Sequence, residues 1–206
     1  MRVVGLKLRV LPNVFDPAIH FTSSVFARYL RRPGVIPPGS SVLDLGTGSG
    51  LLALVAALSG VERVVAVDIN PAAVECARGN VAAYKMQGII EVREGDGFAP
   101  VEGERFDLMV CNPPYFRGEP ENMAERAYYG GSSLEWLYWF GTELGNHLTS
   151  TGSALVSIGD AADIPAILSL LKECGWSCKD VERRDILVEI IYIFKLTRIE
   201  EGSSDA

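Results

Sequence analysis

Histidine is nearly absent, with two in 206 residues, His20 and His147, and there are only four cysteines. Cys76, Cys111, Cys174 and Cys178 lack the paired short spacing that structural zinc sites use, so no metal is expected and the thiols read as buried or incidental and reduced. Long apolar runs are missing too. The longest, Leu51 to Leu58, is far short of the roughly 20 residues that cross a bilayer. The first ten residues, MRVVGLKLRV, alternate like a strand instead of presenting a charged segment, an apolar core and a cleavage site. A soluble cytoplasmic protein is the expectation. Positive charge is in deficit, with 19 Lys and Arg against 26 Asp and Glu and a formal charge of -7. Phosphate backbones are bound by clustered Lys and Arg, so tight sequence-independent binding to nucleic acid is disfavoured, leaving Arg28, Arg31 and Arg32 as a candidate local patch.

What the chain has is apolar content, 48% of it, enough for one substantial core. No internal repeat or linker divides it, and residues 1–199 are expected to form one domain, with residues 1–40 as a lead-in and 200–206 as a mobile polar tail. Strand-length apolar runs occur at 40–46, 63–69, 89–96, 106–112, 152–159, 177–185 and 187–198. Helical patterns intervene at 51–60, 71–86, 132–148 and 163–175. Asn70 suits an N-cap before Pro71 as the first helical residue, and Gly60 closes the first helix. This alternation predicts an α/β fold: a Rossmann-like, doubly wound, seven-stranded and mostly parallel sheet with helices on both faces. The third strand has a mixed pattern suited to a position near an edge. The last two strands lack a helix between them and are predicted to form an antiparallel C-terminal hairpin.

In VLDLGTGSG, Asp44 ends the first strand, and Gly46, Gly48 and Gly50 form a turn that opens directly into a helix. Glycines there let backbone approach a ligand closely, and such a strand-turn-helix is where nucleotide cofactors bind in doubly wound folds. The dinucleotide fingerprint would need glycine at position 51. Leu51 stands there, which counts against a nicotinamide dehydrogenase. Asp68 ends the second strand about 20 residues on, where an acid can accept both ribose hydroxyls of an adenosine. Asp96 follows the third strand. The fourth, FDLMVCNPPY, ends in Asn112, Pro113, Pro114 and Tyr115, and the long polar segment from Arg117 to Gly131 is a candidate substrate lid.

An acid-x-G-x-G-x-G turn, a strand-terminal acid, a later Asp and then Asn-Pro-Pro-Tyr together resemble the class I S-adenosylmethionine-dependent methyltransferases, from about Pro12 to the final strand. The resemblance implies S-adenosyl-L-methionine as cofactor. Asp44, Gly46, Thr47, Gly48 and Gly50 would hold its methionine part, Asp68 its ribose, and Ile69, Asp96 and Gly97 its adenine, with Thr22 and Asn112 also lining the pocket. Methyl transfer to a planar nitrogen is chiefly a positioning problem. The Asn112 side-chain oxygen and the Pro113 carbonyl would accept the two N–H hydrogens, Pro113 and Pro114 would stiffen the loop, and Tyr115 could stack on the flat acceptor. No general base is required.

Val14 to Ala18, VFDPA, together with the NPPY motif, resembles the short HemK-type protein glutamine N5-methyltransferases, which modify peptide-chain release factors. That implies a protein substrate and no membrane. Where those enzymes carry acidic residues and a threonine soon after the proline, this chain has Ile19, His20, Phe21 and Thr22. His20-x-Thr22-Ser23 is similar instead to an H-x-T-T segment of ribosomal-protein methyltransferases. A nucleic-acid base amino methyltransferase and a non-catalytic cofactor-binding subunit stay open as alternatives. Some short relatives use an activator subunit, a possible partner here too. His20 reads as a capping or packing residue and His147 as a helix-end residue.

Overall fold

The computed structural model describes residues 2–14 and 21–199. His20 and most of the VFDPA segment lie outside them, as does the tail from residue 200. Nine strands and five α-helices follow in the described residues: β1 (Arg2–Val3), β2 (Leu6–Lys7), α1 (Phe21–Leu30), β3 (Ser41–Leu45), α2 (Leu51–Ala57), β4 (Arg63–Asp68), α3 (Pro71–Ala83), β5 (Ile90–Glu94), β6 (Phe106–Cys111), α4 (Glu135–Glu143), β7 (Leu148–Gly159), α5 (Ile164–Glu173), β8 (Trp176–Asp185) and β9 (Ile190–Arg198). Seven form one sheet in the order β5-β4-β3-β6-β7-β9-β8. The first five of that order pair in parallel. β9 runs antiparallel to both β7 and β8. This is the Rossmann-like, doubly wound sheet expected, with its C-terminal hairpin at one edge and β5 at the other.

The central strands are buried on both faces, which is why they read as continuous apolar runs. Val42, Val64, Ala66, Val110 and Leu155 face one cluster, packed under Phe26, Leu30 and the apolar residues of α2. Leu43, Leu45, Val65, Met109, Cys111 and Val156 face a second, under Phe140 of α4 and Ile167 and Leu171 of α5. The cap of α3 is as its residues dictate: Asn70 Oδ1 accepts from the Ala72 N–H at 3.0 Å, with Pro71 inside the first turn. Asp163 does the same for α5. α4 starts later than its pattern suggested, because Leu134 is held at φ 62.

One reading of the first 40 residues needs correction. Within the alternating stretch, residues 2–7 form a tight hairpin of two two-residue strands, turned at Val4 and Gly5, both with positive φ. Glycine at the second central position makes that primed turn accessible. The lead-in also contains a ten-residue helix, α1. Thr22, Val25, Phe26 and Leu30 recur at helical spacing and are buried.

A mid-helix asparagine fastens the lead-in to the body. Asn80 in α3 is almost wholly buried. Its Oδ1 accepts from the Arg9 N–H at 2.9 Å, and its Nδ2 donates to the Arg9 and Ser49 carbonyls, each at 2.8 Å. Removing this side chain deprives the Arg9 N–H and the buried Ser49 carbonyl of their partner, while the Arg9 carbonyl keeps the Cys76 thiol at 3.1 Å. Asn80→Ala is expected to lower stability by about 2–4 kcal/mol, seen as a lower urea midpoint with unchanged denaturant dependence.

Candidate active site

At the carboxyl ends of β3, β4 and β6 the crossovers diverge and leave a cavity. Its floor is the glycine turn, with Gly46, Thr47, Gly48 and Ser49 on the wall, and Asp68, Ile69 and Asn70 beyond β4 beside it. Gly95, Asp96 and Gly97 form another side, and Asn112 and Pro114 the next. Asn13, Ser23, Trp136 and the segment Met123 to Ala127, Glu125 apart, complete it.

The turn is stitched to its neighbours. Gly46, Gly48 and Gly50 have φ of 73, 56 and 80°, a region that side-chain-bearing residues resist. The Gly46 and Thr47 N–H groups both donate to the Val67 carbonyl at 2.9 Å. Gly48 N–H donates to Asp68 Oδ2 at 2.8 Å, while Asp68 Oδ1 accepts from Asn70 N–H at 2.9 Å. The Ile69 N–H is a third backbone donor to this carboxylate, which still keeps acceptor capacity for a ligand hydroxyl. Burial raises its pKa, and the backbone donors oppose that.

Asp44 lies beneath the turn, fully buried. Its Oδ2 accepts from the Thr47 hydroxyl at 2.6 Å and from the Ala53 N–H at 2.9 Å. Oδ1 has no partner. Burial, against these two donors and with the nearby Asp68 carboxylate adding to it, pushes the Asp44 carboxyl up to about 7. The same surroundings push the buried Cys111 thiol well above its ordinary value and leave it inert as a nucleophile.

Asn112 follows β6 and is half-buried. Its Oδ1 accepts from the Ser157 hydroxyl of β7 at 2.8 Å. Pro113 and Pro114 are buried, and of the two only Pro114 reaches the cavity wall. Tyr115 differs from expectation. Its ring is buried against the second cluster and is not on the wall, while its hydroxyl is hydrogen-bonded with Thr22 and with the Gly159 backbone. It anchors the loop to α1 and β7 rather than offering a face to a flat ligand. Thr22 is correspondingly turned away, and the neighbouring Ser23 lines the cavity instead. Gly50 is off the wall as well. A Cβ there would press on Ala77 of α3 at 3.3 Å, so its absence serves helix packing.

Asp96 is exposed and 3.9 Å from Arg126. Gly97 lies directly under the Trp139 ring, where no Cβ would fit. The 117–131 segment is pinned at its base: Phe116 exchanges backbone hydrogen bonds with Tyr128 and Gly130, and Gly118 with Gly131. Its middle carries Met123, Ala124, Arg126 and Ala127 onto the cavity. Ser157, Trp136 and Arg126 went unseen in the sequence. The helical aromatic run EWLYWF was the one available signal, for Trp136.

A doubly wound sheet with a cavity at the divergence of its central crossovers defines an α/β enzyme built to hold a nucleotide-like ligand. Residues 5–127 match the methyltransferase small domain family, and the chain belongs to it as a methyltransferase. A ribosomal protein L11 methyltransferase of Thermosipho africanus is 39% identical over 108 residues, 52% of this chain and 40% of that protein, so the chain spans less than half of that relative. A release factor glutamine methyltransferase of Cereibacter sphaeroides is 31% identical over 199 residues, covering 89% of this chain and 69% of that protein. A Methanocaldococcus jannaschii protein provisionally designated a protein N5-glutamine methyltransferase is 28% identical over 204 residues, 97% of this chain and 99% of that one. Among solved structures, an L11 methylase of Lactobacillus delbrueckii superposes with TM-score 0.66 at 25% identity, covering 94% of this chain and 86% of that one.

The buried carboxyl gives a pH test. Below the ordinary carboxylate range Asp44 is protonated in both folded and unfolded chains and contributes nothing. Between that range and about 7 the unfolded chain has lost the proton and the folded one keeps it, so stability falls as pH rises; above that the penalty is complete and constant. The melting temperature of ligand-free Asp44→Asn should therefore rise relative to wild type between pH 5 and pH 7.5 by about several degrees and then run parallel.

Proposed function

We propose that the chain transfers a methyl group from S-adenosyl-L-methionine to the side-chain amide nitrogen of a protein glutamine. The observation that carries this reading is Asn112. It stands at the mouth of β6 on the cavity wall, with an amide oxygen held by Ser157 and one lone pair left over.

The cavity suits the cofactor. Asp68 has acceptor capacity for ribose hydroxyls, the bare backbone of Gly46 and Gly48 admits close approach, and Ile69 offers an apolar surface beside Asp96 and Gly97 for a base. The unpartnered, fully buried Asp44 oxygen beneath the turn favours a cationic ligand above it. When bound, the cofactor supplies an electrophilic methyl group. This chain's part is to fix the acceptor: Asn112 Oδ1 on the cavity wall accepts one amide N–H hydrogen, which orients the nitrogen and favours the positive charge that develops on it, and the Pro113 carbonyl, set back from the wall, would have to be approached by the other. Pro114 and the buried Tyr115 keep that loop stiff.

Protein is the favoured substrate class. The two relatives spanned over two thirds or more of their length carry glutamine methyltransferase names, one of them for release factors. Charge agrees with it. The net charge is -7, and two of the three arginines that could have formed a basic patch are committed internally. Arg31 donates to the Val4 carbonyl, and Arg32 grips both oxygens of Glu182 at 2.9 and 2.7 Å. A release factor is the first candidate acceptor, and any activator subunit would be a further partner.

Purified protein incubated with radiolabelled S-adenosylmethionine, release factor, total RNA and DNA tests this. Label is expected on the release factor, lost when its Gly-Gly-Gln glutamine is changed, and reduced at least about 100-fold by Asn112→Ala. Label on nucleic acid instead would overturn the glutamine reading.

A further inference from the structure

We propose that Ser157 is a positioning residue for the transfer: by donating to Oδ1, its hydroxyl holds the Asn112 amide in place at the cavity wall, with a lone pair of that oxygen left for the acceptor. This rests on the reading of Asn112 above and assigns a task to a residue on a different strand. The two ends of an asparagine side chain are nearly the same size and differ only in what they donate or accept, so hydrogen-bond partners decide which faces where. Ser157 Oγ donates to Asn112 Oδ1 at 2.8 Å. The parallel register that pairs Cys111 with Val156 sets Ser157 beside Asn112, one residue beyond that pair.

The surroundings say the hydroxyl is there for this bond. Ser157 is 0% exposed, the β9 residue paired with it is Ile193, and Leu155 precedes it on the same face; both are deep in the apolar core. An aliphatic residue would pack as well there, and a buried hydroxyl is unfavourable unless it is hydrogen-bonded. Its donation uses one lone pair of Oδ1 and leaves the other for one N–H of the acceptor. Without that bond the amide is free to turn about its last torsion, and the acceptor nitrogen would lose its alignment without losing the rest of its binding contacts. The effect therefore belongs in kcat rather than in KM.

The test compares Ser157→Ala, Ser157→Thr, Asn112→Ala and the Ser157→Ala/Asn112→Ala double variant, in single-turnover transfer to the acceptor and in cofactor binding. Ser157→Ala should lower kcat about tenfold, the order of one lost hydrogen bond, with acceptor KM, cofactor affinity and melting temperature little changed. Ser157→Thr, which keeps a donor, should recover most of the loss. In the Asn112→Ala background, Ser157→Ala should add nothing, because its effect runs through that amide. Wild-type kcat in Ser157→Ala, alongside a crippled Asn112→Ala, would overturn this proposal and leave the function standing. An equal loss from Ser157→Ala in both backgrounds would overturn it too. Full activity in Asn112→Ala would instead remove the reading on which both rest.

Discussion

Parallel strands bring all their carboxyl ends to one side of a sheet, and where successive crossovers leave in opposite directions the loops part. β3 sits at that parting, with β4 and then β5 on one side and β6 and β7 on the other. The connection after β3 must turn sharply into α2 without covering the gap, which imposes positive φ at Gly46, Gly48 and Gly50. The strand order thus places the glycine turn, the terminal acid of β4 and the asparagine after β6 around one space.

Holding that space open has local costs, met by hydrogen bonds from outside the turn. Asp44 ties the turn to α2 through Thr47 and Ala53, Asn80 takes the Ser49 carbonyl from behind, and Asp68 takes the Gly48 amide from the side. Each support is a side chain on a different element, so the turn is fixed from three directions. The wall after β6 is built likewise. Ser157 holds Asn112, while Thr22 and the Gly159 backbone hold Tyr115. Among the described residues, tension is left in the buried carboxyl of Asp44, with an oxygen unpartnered. An electrostatic cost of that kind is expected where a charged ligand is to be received.

Much of this was legible in the sequence because the signals are local. Continuous apolar runs such as SVLDL and RVVAVD can only be strands buried on both faces, and Asn70-Pro71 announces a capped helix start. The floor of the cavity was legible for the same reason, since glycine spacing and strand-terminal acids are properties of contiguous residues. What escaped depends on pairing across the sheet. Ser157 gains its meaning from register with β6, and Tyr115 was read as a free ring because nothing nearby in sequence shows Thr22 and Gly159 closing around its hydroxyl. The α1 helix was hidden by a short, serine-bearing pattern, and the hairpin at Val4 and Gly5 by an alternation that one long strand would share. Thr22 and Ser23 are adjacent in sequence, yet one faces the core and the other the cavity.

The proposed methyl transfer requires the cavity at the β3–β4–β6 divergence to be the cofactor site. Calorimetric titration of S-adenosylmethionine into wild type, Asp68→Ala and Asn112→Ala addresses that directly. With Asp68 accepting ribose hydroxyls as proposed, its loss should weaken binding at least about tenfold, while Asn112→Ala, whose proposed role is toward the acceptor, should bind within about threefold of wild type. Undiminished binding in Asp68→Ala would contradict the assignment of the cavity.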